Sequence, residues 1–271
     1  MIELHGGGSI ILKVCFIGDV CGMAGRRAVL GLLPGFVRSN DIDCIIINAE
    51  NSAHGLGVSR NIIEDFSAIG CDCITLGNHT FSNRDFYGQI KNIKNCVRPA
   101  NITPAWPGND YYIVEKKGIR LGIINLLGQV FMDIAADNPF TKAEELIDKL
   151  RNELGCHGVF VDIHGEATSE KQALGYFLDG KATVVAGTHT HVMTADDKIL
   201  KYGTGYITDC GMTGAYESVL GMDKDVSVKR LAYKIPMRYE PADGPAFMCG
   251  IVFETDESGR CLSLRRFCEY E

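Results

Sequence analysis

The sequence predicts a layered α/β fold, and two patterns carry that prediction. Short apolar runs rich in β-branched residues alternate with segments of helical apolar spacing, and two later pairs of runs read as hairpins. Buried strands joined by helices make a layered α/β protein, and hairpins among them predict a mixed sheet or a sandwich. The strand runs are Leu12 to Ile17, Cys44 to Asn48, Cys73 to Leu76, Gly158 to Ile163 and Thr183 to Ala186. A first helical segment carries Val29, Leu30, Leu33, Phe36 and Val37. A second runs from Ser59, a good N-cap, through Ile62, Ile63, Phe66 and Ile69 to a stop at Gly70. A third opens with Thr141-Lys142-Ala143-Glu144, a capping-box pattern, and carries Leu146, Ile147, Leu150 and Leu154. The hairpins pair Tyr111 to Glu115 with Ile119 to Asn125, and Ala246 to Glu254 with Arg260 to Cys268. Residues 1–11 read as a disordered extension and 12–271 as a single domain. Within it, 214–245 shows little periodicity and is expected either to cap a site or to mediate assembly, with a homo-oligomer as one outcome.

Composition bounds the function. A chain of 271 residues buries about three quarters of its unfolded surface, so a sizeable core is available. Apolar residues at 46% and charged residues at 23% are ordinary for a soluble protein. No apolar run approaches the ~20 residues that span a bilayer, and the opening residues lack the basic start and long apolar stretch of a signal peptide. A net charge of -7 argues against stable nucleic-acid binding, which needs clustered Lys and Arg. It leaves room for a small phosphorylated substrate held by metal ions. Eleven cysteines, an odd number with several inside apolar runs, predict free thiols in a reducing cytoplasm rather than a disulfide framework.

The most informative stretch is Gly187-Thr188-His189-Thr190-His191, which closes a buried run. Side chains at i and i+2 of a continuing strand share a face, but at a strand's end the backbone turns, and where these two imidazoles point depends on that turn. The residues that follow each apolar run form a series. Asp19 follows the first, Glu50 and Asn51 the second, Asn78 and His79 the third, His164 the fourth, and the His-x-His pair the fifth. Singly, each has an ordinary reading as a turn or core residue. Together they place eight polar side chains at the carboxyl ends of strands, seven candidate metal donors and one further histidine, where α/β sheets bind ligands. Carboxylates, carboxamides and imidazoles without thiolate suit Mn, Fe or Zn, and the set exceeds what one tetrahedral ion needs. Two metals sharing a carboxylate, about 3.5–4 Å apart, clamp an in-line displacement at phosphorus with a shared hydroxide as nucleophile. A remaining histidine can then protonate the leaving oxygen.

These stations resemble the calcineurin-like metallophosphoesterase superfamily. Two departures, Asp19-Val20-Cys21 for the usual Asp-x-His and Glu50 for the usual bridging Asp, fit one branch of it, the YmdB-like phosphodiesterases. The phrases that carry this resemblance are Gly18-Asp19-Val20-Cys21-Gly22-Met23-Ala24-Gly25-Arg26, Asn48-Ala49-Glu50-Asn51-Ser52-Ala53-His54-Gly55, Arg98-Pro99-Ala100-Asn101, His164 to Lys171 and Ile207 to Gly214. The resemblance as a whole covers nearly everything from residue 13 onward. The resemblance implies a four-layer α/β/β/α sandwich with mixed sheets, a dinuclear centre and phosphodiesterase activity, including activity on 2′,3′- or 3′,5′-cyclic nucleotides. It implies a first metal on Asp19, Glu50, Asn51 and His191, with Glu50 bridging to a second on Asn78, His164 and His189. His79 would be the proton donor. The metals expected are Fe or Mn, with Zn the third choice. On this mapping the two imidazoles of the His-x-His pair divide between two ions.

Other residues carry weaker expectations. His54 is expected either to contact substrate or to serve its loop or the residues behind the ligands, Arg26 to cap its helix in preference to meeting a phosphate, and Asp209 to order the site from behind the ligands. A thiol at Cys21, two residues from a ligating Asp, suggests oxidation sensitivity. His5-Gly6-Gly7-Gly8 mimics an esterase oxyanion loop, yet no G-x-S-x-G elbow exists, and the glycine-rich loop after Gly18 lacks a P-loop's Gly-Lys-Ser/Thr ending. The alternatives to a phosphodiesterase are a 5′-nucleotidase-like phosphomonoesterase and a regulatory nucleotide- or partner-binding protein with little turnover.

Overall fold

A computed structural model describes residues 10–271. The chain runs β1 (Leu12–Ile17), α1 (Gly22–Asn40), β2 (Cys44–Asn48), α2 (Arg60–Ala68), β3 (Cys73–Thr75), α3 (Arg84–Gln89) and β4 (Cys96–Val97). It continues with β5 (Tyr111–Lys116), β6 (Ile119–Leu127), α4 (Pro139–Asp148), β7 (Gly158–His164), α5 (Thr168–Phe177), β8 (Val184–Thr188), β9 (Lys198–Ile199) and β10 (Gly205–Ile207). β11 (Gly214–Ala215), α6 (Lys224–Tyr233), β12 (Ala246–Thr255) and β13 (Cys261–Tyr270) complete it. One sheet has the order β11-β12-β1-β2-β3-β4 with β13 beyond β12, and the other has the order β5-β6-β7-β8-β10-β9. The first sheet is parallel from β1 to β4 and antiparallel on its β11, β12 and β13 side, and the second has a parallel centre between antiparallel margins, so both sheets are mixed, as the hairpins predict.

The alternation of side chains explains the layering. Val14 and Phe16 of β1 and Cys44 and Ile46 of β2 point between the sheets, where they meet Phe160, Val184 and Ala186 of the other sheet. Their neighbours Cys15, Ile17, Ile45 and Ile47 point outward into the layer of α1 and α2. On the far side Val159, Val161, Ile163 and Val185 pack under α4 and α5. Strands buried on both faces read as continuous apolar runs, which is why they stood out in the sequence. Phe16 and Phe160 lie 4.8 Å apart across the sheet interface, and full burial of such a ring contributes ~2–3 kcal/mol. The result is the four-layer α/β/β/α sandwich.

One expectation needs correction, and two are completed or left outside the described residues. The capping box at Thr141 does not form; Pro139 opens α4 and the Asn138 side chain accepts from the Phe140 and Thr141 N–H groups, since an Asn followed by Pro at the first helical position is the stronger start. α1 begins seven residues before Val29, because its first turns pack through small side chains: Ala24 and Ala28 meet Ala215 and Ala246. The expected extension falls largely on residues 1–9, which lie outside the described residues, as does the His5 to Gly8 phrase; Ile10 and Ile11 are exposed ahead of β1.

At their carboxyl ends β8 and β10 approach closely. The Cys210 N–H donates to the Gly187 carbonyl at 2.8 Å, and a Cβ on Gly187 would collide with the Thr208 carbonyl oxygen. Gly187→Ala is expected to cost ~3 kcal/mol through overpacking against rigid backbone and to lower Tm by ~10 °C. A thermal melt checks this, and an unchanged Tm would contradict the close packing.

Candidate metal centre

The five stations split between the sheets. β1, β2 and β3 deliver Asp19, Glu50, Asn51, Asn78 and His79 from one, and β7 and β8 deliver His164, His189 and His191 from the other. The carboxyl ends of both sheets open on a single cleft. Asp19, Glu50 and His164 are fully buried there and Asn51 nearly so.

The donor atoms converge. His164 Nε2 lies 3.0 Å from Glu50 Oε1, 2.9 Å from Asn78 Oδ1 and 3.0 Å from His189 Nδ1. Glu50, His164 and His189 each offer a ligand atom within 4.8 Å of the others. Asn51 Nδ2 lies 3.0 Å from Glu50 Oε1 and 3.1 Å from His191 Nε2. The two histidines of the pair therefore part, His189 toward His164 and His191 toward Asn51. Backbone geometry makes this fork: His189 has φ 94° and His191 φ 65°. Non-glycine residues held there cost of order 1–3 kcal/mol each, and such strain clusters at functional sites.

Second partners orient each imidazole. His164 Nδ1 donates to Thr188 Oγ1 at 2.9 Å, and that hydroxyl donates to Asp162 Oδ1 at 2.7 Å. His191 Nδ1 donates to the Leu220 carbonyl at 3.0 Å, and His189 Nε2 lies 3.3 Å from the Glu166 carboxylate. One nitrogen held from behind and the other turned inward is the arrangement of metal-ligating histidines. The Asp19 Oδ1 and Asn51 Oδ1 atoms are buried without a hydrogen-bond partner, and buried acceptors are ordinarily satisfied. A Cβ at Gly77 would fill the space beside the Glu50 carboxylate and the His164 ring. Orphaned oxygens, inward imidazoles and a cradle that tolerates no side chain fit cations.

The electrostatics agree. Burial raises the Asp19 carboxyl to about 6, against the pull of His164 and His191. Burial is the largest single influence on Glu50 and would raise it, but His164 and His79 together outweigh it and hold Glu50 down at about 2. Burial alone would depress His164, yet Glu50, Asp19 and Asp162 lift it to about 9. A buried imidazole kept charged above neutral pH marks an excess of negative charge around it. His189 goes the other way, to about 3, through burial and the charge on His164. His79 stands at the rim; its N–H donates to Glu50 Oε2 at 3.1 Å, its Nδ1 is 3.2 Å from Ser82 Oγ, and burial lowers its pKa.

The cleft measures about 310 Å³ and is lined by Glu50, Asn51, His79, His189 and His191 among others. A larger hollow of about 560 Å³ between α1 and α2 has no such cluster. Residues 15–267 match the model of a family described as YmdB-like protein. The chain belongs to the YmdB-like family. It is 42% identical over 246 residues to the Bacillus subtilis protein named 2′,3′-cyclic-nucleotide 2′-phosphodiesterase, covering 91% of this chain and 92% of that one. The crystal structure of a novel phosphatase from Mycoplasma pneumoniae matches with TM-score 0.90 and 33% identity, over 97% of this chain and 95% of its own. A 5′-nucleotidase precursor from Thermus thermophilus matches at TM-score 0.55 and 13% identity, over 96% of this chain and 54% of its own, a likeness of fold alone.

The structure also places the other residues singled out in the sequence. His54 is exposed on its loop, while its neighbours Gly55 and Leu56 line the cleft. Arg26 sits inside α1 on the hollow beside α2 rather than at the helix end or the cleft. Cys21 is 3% exposed, and burial first, then Asp19 and Glu50, push its thiol up to about 12; burial and a raised pKa are the marks of an unreactive thiol and speak against oxidation sensitivity. Asp209 does stand behind the ligands. Its carboxylate accepts from the Thr190 N–H at 3.0 Å and Thr190 Oγ1 at 2.6 Å, between the two histidines, and from Lys171 Nζ at 3.0 Å.

Lys171 and Asp162 escaped the sequence reading. Asp162 had a signal, since it lies two residues before His164 in an apolar run and so shares its face. Lys171 had none, because a lysine in a polar helix opening reads as surface, yet it is fully buried. Removing one partner of a buried ion pair leaves a stranded charge. Lys171→Met should therefore cost ~3–5 kcal/mol in denaturant unfolding. The Lys171→Met/Asp209→Asn pair should be less destabilised than the sum of the single variants; strict additivity would show that the two groups are uncoupled.

Proposed function

We propose that this protein is a dinuclear-metal-dependent phosphodiesterase acting on small phosphodiesters, nucleoside 2′,3′-cyclic phosphates foremost. The convergence of Glu50, Asn78 and His189 on His164 Nε2, beside the unsatisfied oxygens of Asp19 and Asn51, carries this reading. Asp19, Glu50, Asn51 and His191 would hold one metal, and Asn78, His164 and His189 the other, with Glu50 shared. When bound, two such cations supply Lewis acidity that lowers the pKa of water and neutralises charge developing on phosphoryl oxygens. Oxygen and imidazole donors without thiolate favour Fe or Mn, with Zn next.

The chain's own groups supply the rest. His79 lines the cleft and is ionisable, and the Glu50 carboxylate fixes its backbone while Ser82 and Asn78 flank its ring. We assign it delivery of a proton to the departing ribose oxygen. An arriving anionic diester offsets the lowering of its pKa by burial. Eleven free cysteines, ten of them buried, support a reducing cytoplasm as the setting. Among the described residues no helix is long and apolar enough to cross a membrane.

His79→Ala should keep its metal, measured by elemental analysis, and lose ~10²–10⁴-fold in turnover. Asp19→Asn and His191→Ala should lose metal as well as turnover. Chelation should abolish hydrolysis, and added Mn should restore it. Metal-loaded enzyme that hydrolyses a bis-aryl phosphate more slowly than the matching monoester would favour the monoesterase, and tight nucleotide binding without turnover of any diester would favour the regulatory protein.

Segment 214–245 divides into two parts. Leu220 and Met222 line the cleft, while α6 buries only Ser227 and leaves Val228, Leu231 and Tyr233 exposed. We read α6 as the face on which copies of the chain assemble, since an apolar helix face without a partner is rare in monomers. Sedimentation should give an oligomer that Leu231→Asp dissociates; a monomeric wild type at micromolar concentration would rule this out.

A further inference from the structure

Two reverse turns meet at the cleft. In Ala53–Leu56 the central His54 and Gly55 have φ 55° and 82°, and the Leu56 N–H donates to the Ala53 carbonyl at 3.1 Å. In Val219–Met222 the central Leu220 and Gly221 have φ 53° and 85°, and the Met222 N–H donates to the Val219 carbonyl at 3.0 Å. Positive φ at both central residues is the type I′ pattern, whose first central position favours Asn, Asp or Gly. Leucine is a poor residue there on conformational grounds. The Leu220 side chain is only half buried in exchange, at 48% exposed, and Leu56 at the end of the other turn is 51% exposed. Both line the same cleft as His79, His189 and His191, with Met222 between the turns, its Cε 3.1 Å from where a Cβ on Gly55 would stand. Apolar side chains left in solvent next to the most polar part of the molecule mark a ligand surface.

We propose that Leu56 and Leu220, backed by Met222, form an apolar subsite for the base of a nucleoside phosphodiester whose phosphate lies among Glu50, Asn51 and His191. The proposal rests on the phosphodiesterase reading above and names how its substrate is held. The cleft volume suits one small ligand of nucleotide size. None of the three side chains can read the edge of a base by hydrogen bonding. They contact its face, so every base is accepted, and purines bind better than pyrimidines because they cover more apolar surface.

The informative variant is Leu220→Asn. Asparagine favours the left-handed turn, so the turn and the bond from His191 to the residue 220 carbonyl persist while the apolar group goes. Leu56→Ala tests the other turn without touching that bond. With Mn-loaded protein, KM is measured for adenosine and uridine 2′,3′-cyclic phosphates and for methyl riboside 2′,3′-cyclic phosphate, which has no base. Wild type should show a KM ~10-fold lower for the adenosine diester than for the baseless one, the effect of burying a modest apolar area, with uridine between. Each variant should move that ratio toward one while metal content and Tm match wild type. If Leu220→Asn does not fold, Leu56→Ala carries the comparison. A wild-type ratio near one, or a ratio unchanged in the folded variants, overturns the subsite. Metal-loaded wild type that hydrolyses none of the three diesters overturns the phosphodiesterase reading and the subsite with it.

Discussion

The Asp162 carboxylate is the constraint on which the candidate centre depends. It projects from β7 into the seam between the sheets and accepts from Asn48 Nδ2 at 2.9 Å and Thr75 Oγ1 at 2.6 Å, both on the other sheet. Its second oxygen accepts from Thr188 on β8, which in turn receives His164 Nδ1. The apolar layer between the two sheets has no directional registry of its own, because hydrophobic contact is non-directional. Hydrogen bonds are directional, and those to a charged acceptor contribute about 1.5–3 kcal/mol each. Burial raises the Asp162 pKa and those donors oppose the rise. The same bonds that make the buried carboxylate tolerable fix β2 and β3 relative to β7 and β8, so donors from separate sheets converge.

The second requirement is a brace for the strained fork. His189 and His191 sit at positive φ in consecutive alternate positions, and such backbone persists only where its surroundings over-determine it. Asp209 does so by holding both the N–H and the hydroxyl of Thr190 between them, while Lys171 neutralises that carboxylate and also donates to the Thr188 carbonyl. The Asp19 carboxylate adds a bond from the His189 N–H at 2.8 Å. Ligands of the first station thus help shape the fifth, and the centre is built as one cooperative unit rather than five independent stations.

Much of this was legible in the sequence because two simple periodicities generate it. Buried strands announce themselves as apolar runs, and the polar residue that ends each run is placed at the sheet edge by chain continuity alone, as Asp19, Glu50, Asn78 and His164 show. What stayed hidden depends on contacts between distant segments. That the stations belong to two sheets is a matter of strand order, which no local pattern encodes. The burial of Lys171 follows from α5 lying over the ends of β8 and β10. The failed capping box at Thr141 shows local chemistry losing to a better start nearby, Asn138 before Pro139. The left-handed residue at Leu220 was invisible because leucine does not signal such a turn.

Rigid and adaptable parts are separated in this molecule, and one bond joins them. The donor residues follow strands buried on both faces, whereas the apolar wall of the cleft hangs on two turns whose side chains are half exposed. Changes in the wall cost little core packing, so its shape can vary without disturbing the seam at Asp162. The exception is the Leu220 carbonyl, which accepts from His191 Nδ1 and so sets the orientation of that ring. A shift of the 219–222 turn would rotate His191 away from Asn51, and the surface that meets a ligand is thereby coupled to the residues that would hold a metal.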